Sequence, residues 1–280
     1  MDQPKKPVVD NPWQALRKFT AARIALGRAG VSLPTAPQLA FQLAHAQARD
    51  AVHLALDTDH LQQQLRAAAI PGSEACRVVN SAAPDRLTYL QRPDLGRRLS
   101  DAARQQFAEP DGAADVAEDS ADQRIYDLAF VIADGLSALA IAKNAAPFLA
   151  ALQPRIAAQN WTQAPLTIVR QGRVAVGDEV GQLLRARLVV VLIGERPGLS
   201  SPDSMGLYLS WMPRVGLSDA GRNCISNVRP EGMRYEEAAY KLHYLLAEAH
   251  KRQLTGVALK DESGSEGEVL ATSPRNFLLD

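Results

Sequence analysis

Leu188-Val189-Val190-Val191-Leu192-Ile193, followed at once by Gly194-Glu195-Arg196-Pro197-Gly198, is the stretch that decides the fold. Six consecutive apolar residues, four of them β-branched, need cover on both faces. That is the signature of a parallel strand sandwiched between helices. Leu128–Ala133 repeats the pattern and stops at Asp134-Gly135, and Leu166–Val169 repeats it and stops at Arg170-Gln171-Gly172. Between these runs the apolar period lengthens to that of a helix. One helix starts at Ser137 and meets Pro147, where a kink or restart is expected. Another carries Val176, Val180, Leu183 and Leu184 on one face. Leu207–Met212 reads as a weaker strand, and Tyr235–Gln253 as a strong helix with Ala238, Leu242, Leu245, Leu246 and Ala249 inward. Gly256–Leu259 reads as a last strand. Strands alternating with helices imply an α/β fold: a Rossmann-like, open, mostly parallel sheet with right-handed crossovers.

Upstream, helical patterning starts near Trp13 and stops at Gly27 and Gly30. A capping-box pattern, Thr35 with Gln38, opens a second helix whose stripe is Leu39, Leu43, Ala46 and Ala51. A third runs from His60 to Ala69. Cys76–Asn80 and Arg86–Gln91 read as strands, and Leu99–Phe107 as a helix. Residues 101–124 hold seven acidic and two basic residues around Pro110-Asp-Gly112, the composition of a solvated loop. The expected organisation is an arm and helical subdomain over residues 1–85, the sheet domain over 86–260 and a flexible tail over 261–280.

Composition narrows the function. Lys plus Arg and Asp plus Glu are both 31, so the chain is neutral, which argues against a nucleic-acid or membrane-surface protein. One local exception is Gln14–Gly30, with Arg17, Lys18, Arg23 and Arg28 and no acid. Two distant cysteines make neither a disulfide framework nor a zinc cluster. The first ten residues lack the apolar core of a secretory signal, and no apolar run approaches the length of a membrane span. The expectation is a reduced, intracellular protein.

In open α/β sheets ligands sit beyond the carboxyl ends of the strands. Four places qualify: Asp134–Ser137, Gln171–Val174, Gly194–Gly198 and the chain after Trp211. Neither G-x-G-x-x-G nor G-x-x-x-x-G-K-[ST] occurs, which weakens dinucleotide and P-loop readings. Glu195, just past the most buried strand, is placed to accept hydrogen bonds from a ligand, or to form a plain surface turn with Arg196. Ser137 reads first as a helix cap. A lone Cys224 is more often packing than nucleophile. The five histidines show no metal spacing and no supported catalytic order.

Five ordered segments resemble the light (small) chain of adenosylcobalamin-dependent ethanolamine ammonia-lyase. They are Arg23-Ile-Ala-Leu-Gly-Arg28-Ala-Gly, Arg92-Pro-Asp-Leu-Gly-Arg97-Arg, Ala133-Asp-Gly-Leu-Ser137, Gly194-Glu-Arg-Pro-Gly198 and Arg222-Asn-Cys-Ile-Ser-Asn227. The resemblance spans roughly residues 12–258. It implies a lyase converting ethanolamine to acetaldehyde and ammonia through an adenosyl radical made by cobalt–carbon homolysis. It implies a heavy-chain partner, a TIM-type barrel that holds ethanolamine, in a hetero-oligomer. It implies a Rossmann-like light chain covering part of adenosylcobalamin, with Val174, Glu195 and Cys224 at the family's cobalamin contacts and no catalytic side chain. Asp-x-His-x-x-Gly, the motif of proteins that replace the nucleotide base with histidine, does not occur, so base-on binding with no protein ligand to cobalt is expected. Many relatives carry a longer N-terminal extension thought to route the enzyme into a bacterial microcompartment. Here about a dozen polar residues precede the first helical segment, which favours plain cytoplasm. Two other readings remain open: a stand-alone enzyme on a nucleotide or sugar phosphate, using Asp134, Ser137 and Glu195, and a scaffold docked through Gln14–Gly30.

Overall fold

A computed structural model describes residues 11–20, 22–108 and 126–264. Its centre is a six-stranded sheet in the order β1-β3-β2-β4-β5-β6. These strands are Arg77–Asn80, Thr167–Arg170, Tyr126–Ala133, Ala186–Gly194, Met205–Trp211 and Arg222–Val228, in sheet order. The first three pairings are parallel and the last two antiparallel. The sheet is therefore mixed, parallel in three of its five pairings and antiparallel at the β5–β6 edge. The cause is local: a short loop without a helix joins β4 to β5, and such a connection can only fold the chain back antiparallel. β1 lies before residue 86, so the N-terminal segment contributes an edge strand.

Alternation along β2 and β4 builds two cores. Leu128, Phe130, Ile132, Leu188, Val190 and Leu192 point to one face. Ala129, Val131, Ala133, Val189, Val191 and Ile193 point to the other. α5 (Ala138–Ile156) and α7 (Tyr235–Arg252) cover the first face. α6 (Val176–Leu183) covers the second, with α4 (Asp101–Ala108) beside it. The layers differ in thickness. Under α5 the filling is Leu, Ile and Phe. Under α6 it is Ala and Val, and the helix turns Gly177 and Gly181 inward: a Cβ on Gly177 would lie 2.1 Å from a Val191 methyl carbon. Gly177→Leu is expected to overpack this layer and lower stability by about 1–3 kcal/mol, read as a falling urea midpoint. An unchanged midpoint would mean that α6 is free to move off the sheet.

Several local expectations need correction. Arg86–Gln91 is a helix, α3, not a strand, because the Asp85 carboxylate accepts the Thr88 N–H at 2.8 Å and caps it. Pro12–Lys18 is a short 3-10 helix, and the chain from residue 22 to 34 is irregular. α1 (Thr35–His53) takes Pro34, not Thr35, as its N-cap, and of its expected core stripe only Ala51 is buried: Leu39, Leu43 and Ala46 are exposed, and Ala44 is buried in their place. α2 is Thr58–Ala67. α5 runs through Pro147 as one element. Gly256–Ala258 is a 3-10 turn, not a strand. Arg222–Val228, read as a polar loop, is the edge strand β6. Most of the acidic stretch and of the tail lies outside the described residues.

Candidate ligand cleft at the carboxyl edge of the sheet

The turns after β2, β3 and β4 meet at one rim and lock one another. Gly135 has φ +59°, and a Cβ there would lie 2.2 Å from the Gly194 carbonyl oxygen. A Cβ on Gly194 would lie 2.0 Å from the Ser137 carbonyl oxygen. Two of the sequence segments, Ala133–Ser137 and Gly194–Gly198, are thus halves of one steric fit. Asp134, 4% exposed, accepts the Gln171 and Gly172 N–H groups at 2.9 and 3.1 Å, with the Arg86 guanidinium 3.8 Å away. Burial still holds its carboxyl above the ordinary range. Ser137 caps α5 through the Ala140 N–H and donates to the Pro202 carbonyl at 2.7 Å. Asp134 and Ser137 are fully engaged in holding the rim. They are not the polar site of a nucleotide or sugar-phosphate enzyme.

Beside this rim lies an open cleft of about 420 Å³. Val174 and Glu195 line it together. So does Tyr208, the cross-strand partner of Cys224, and the Tyr208 hydroxyl hydrogen-bonds the Cys224 thiol. Cys224 is exposed and sits on a face of β6, not in a loop past a strand end as the sequence suggested. Val174 and Glu195 thus share the cleft wall, and Cys224 lies one strand over, beside the wall residue Tyr208. Desolvation raises the Cys224 thiol above its usual value, and the Glu195 carboxylate adds to this against the Tyr208 hydrogen bond. A thiol so held is a poor nucleophile and a compact, polarisable surface.

Glu195 owes its pose to an irregularity in β6. Pairing slips between Met205 and Leu207, and Asn227 adopts φ +61°. The bulge aims Ser226 and the Asn227 N–H at Glu195, which accepts them at 2.5 and 3.2 Å. Ser204 donates a third bond at 2.5 Å. A carboxylate has about four acceptor positions, so one remains for a ligand donor. The Arg222–Asn227 segment is used throughout. Arg222 is buried against Asp178 of α6, and Asn223 donates to the Leu259 carbonyl at 2.7 Å. The Arg92–Arg98 segment has a different task. Gly96 accepts the Arg173 N–H at 2.7 Å, and a Cβ there would strike Arg173 and Tyr89. It clamps the loop that presents Val174. The strand-end segments enclose Arg173 and Arg196 without singling them out and leave out Tyr89 and Tyr208, all four on the cleft wall. Adjacency to Val174 and Glu195 was the available signal for the two arginines.

Among the described residues no group of three His, Cys, Asp or Glu side chains could hold a metal ion. No described helix is long and apolar enough to cross a membrane.

The class that the fold and the rim define is an open, mixed α/β sheet whose strand ends frame a shallow cleft. The chain belongs to the ethanolamine ammonia-lyase light chain (EutC) family, whose model matches residues 10–260. It is similar over its whole length to the ethanolamine ammonia-lyase small subunit of Ralstonia nicotianae, with 58% identity over 279 residues, 100% of this chain and 98% of the relative. The small subunits of Azotobacter vinelandii and of Pseudomonas putida strain W619 are each 55% identical, covering 98% of this chain and 98% and 97% of theirs.

Proposed function

We propose that this chain is the light subunit of an ethanolamine ammonia-lyase, a carbon–nitrogen lyase, and that its cleft grips adenosylcobalamin against a heavy-chain partner. The observation that carries the reading is the convergence of Val174, Glu195 and Tyr208, the cross-strand partner of Cys224, on one concavity. The residues suit a corrin. Its rim bears amide arms that donate to the open acceptor of Glu195, and its flat apolar face tolerates a small thiol and not a bulky side chain. Gly172 brings backbone close beneath Val174, where a Cβ would press on Ala133 and Val176. Bound there, the cofactor supplies radical chemistry through its cobalt–carbon bond, and the chain binds, orients and shields it.

The sheet is read as Rossmann-like. α5 and α6 lie on opposite faces of a doubly wound parallel half, and the cleft lies at its carboxyl edge. The heavy chain, read as a TIM-type barrel, holds ethanolamine. The N-terminal segment, residues 1–85, is assigned to subunit contact and residues 86–260 to the cofactor. Exposed Val31, Leu33, Leu39 and Leu43 form an apolar stretch that suits burial by a partner. The reaction is set in the bacterial cytoplasm, or in a microcompartment.

Co-expression with a heavy chain tests the reading. The expected result is a purified hetero-oligomer that retains a cobalamin absorption spectrum, and removal of this chain bleaches it. A heavy chain that holds the cofactor equally well alone would overturn it. The lower cobalt ligand is a second expected result. None of His45, His53, His60, His243 and His250 lines the cleft. The spin-resonance spectrum of the bound cobalt(II) form should therefore show nitrogen coupling unchanged when the protein's histidines carry ¹⁵N. A change in that coupling would identify a protein histidine on cobalt.

A further inference from the structure

We propose that Arg173 and Arg196 form an anion subsite for the phosphodiester in the nucleotide loop of the bound cobalamin. The inference rests on the cobalamin reading and adds which group of the ligand this chain recognises.

Several arginines around the sheet are matched to acids. Arg86 faces Asp134, Arg104 bridges Asp101 and Glu179, Arg187 meets Asp127, Arg222 meets Asp178 and Arg229 meets Asp203. Arg173 and Arg196 differ. Both line the cleft, and among the described residues neither has a carboxylate within ion-pair distance. Arg173 is held in place without being neutralised. Its guanidinium carbon lies 4.3 Å from the centre of the Tyr89 ring, one terminal nitrogen donates to the Tyr89 carbonyl at 3.3 Å, and its backbone is tied to Gly96. Its Nε–H is buried and has no partner. Arg196 is exposed in the Gly194–Gly198 turn and supplies a second positive charge at the same opening.

The cleft is therefore polarised. Glu195, Ser226 and Tyr208 offer an acidic, hydrogen-bonding wall, and Arg173 and Arg196 offer a cationic one. A corrin has amide donors for the first wall, and the one anionic group of cobalamin, its phosphodiester, suits the second. Planar guanidinium donors match phosphate oxygens in geometry as well as charge.

The test compares cyanocobalamin with cobinamide, which lacks the nucleotide loop, on the complex of this chain with its heavy chain. Binding is read by equilibrium dialysis and absorbance, so no turnover is needed. The wild-type complex should prefer cobalamin, and added salt should erode that preference. Arg173→Gln and Arg196→Gln should each weaken cobalamin about tenfold and leave cobinamide within about twofold. Arg196→Lys should recover most of the loss. Because Arg196 is exposed and unpaired, its variant reports even if Arg173→Gln disturbs the Tyr89 packing. An unchanged cobalamin-to-cobinamide ratio in both variants, with wild-type cobalamin binding intact, overturns the subsite and leaves the cobalamin reading standing. Weaker heavy-chain association at an unchanged ratio overturns it too, and assigns the cations to a subunit contact. A wild-type complex that binds neither compound overturns the cobalamin reading itself.

Discussion

Arg222→Ala should destabilise the folded chain by about 3–5 kcal/mol, the largest effect expected of a single side chain outside the rim glycines. Arg222 and Asp178 are 3% and 2% exposed, and their ion pair joins edge strand β6 to α6. Arg222 also donates to Asp219 at 2.7 Å and to the Leu217 carbonyl at 2.9 Å. Truncation would leave the Asp178 carboxylate in a dry interior with Ser210 as its remaining named donor. Burial already holds Asp178 above the usual carboxylate range with the arginine present, and without it the shift grows. The sign of the pH dependence follows. A folded-state value above the unfolded one, about 3.9, means that the folded chain holds the proton more tightly. The loss in Arg222→Ala is then largest at neutral pH and shrinks as pH falls toward 4. Urea melts of wild type and variant at pH 7 and pH 5 measure it. A loss that grows in acid would show that Asp178 is not the stranded group. Arg222→Met with Asp178→Leu should regain most of the stability, since an apolar pair of similar size strands no charge.

Cys224→Trp should cost the assembled enzyme its cofactor while the fold survives. The residue is exposed on β6 opposite the cleft residue Tyr208, so on the cobalamin reading the indole meets the cofactor and not the core. Intruding on a close-packed contact costs about 1–3 kcal/mol, a tenfold to hundredfold weakening of cobalamin retention. Glu195→Ala should act more mildly, since Ser204, Ser226 and the Asn227 N–H lose their acceptor in a place that water reaches. Gel filtration of the co-expressed complex followed by its absorption spectrum reports both. If both variants keep a full complement of cobalamin, the cleft is not the binding site.

What could be read from residues alone divides by physics. β2 and β4 were plain because both their faces are covered, so apolar residues run without interruption. β6 was missed because an antiparallel edge strand needs only alternate apolar positions, here Ile225 and Val228, and its bulge breaks even that alternation. Arg86–Gln91 reads as a strand because six residues carry little period, and the Asp85 cap is the better clue to helix α3. The outward turn of Leu39 and Leu43 on α1 depends on what the helix leans against, which no local pattern encodes. For the site, the strand-end rule reached Val174 and Glu195, and resemblance reached Cys224. Arg173 lies in the same Gln171–Val174 loop, but what singles it out there is a missing carboxylate partner, and absence in space leaves no mark in sequence.

The mutual fit of Gly135 and Gly194 has a mechanical corollary. Two turns with each backbone pressed into the other cannot swing independently, so this edge behaves as a rigid jaw with no hinge of its own. Whatever steps aside to admit a bulky guest, or to release a spent one, belongs to another molecule or to segments remote from these turns.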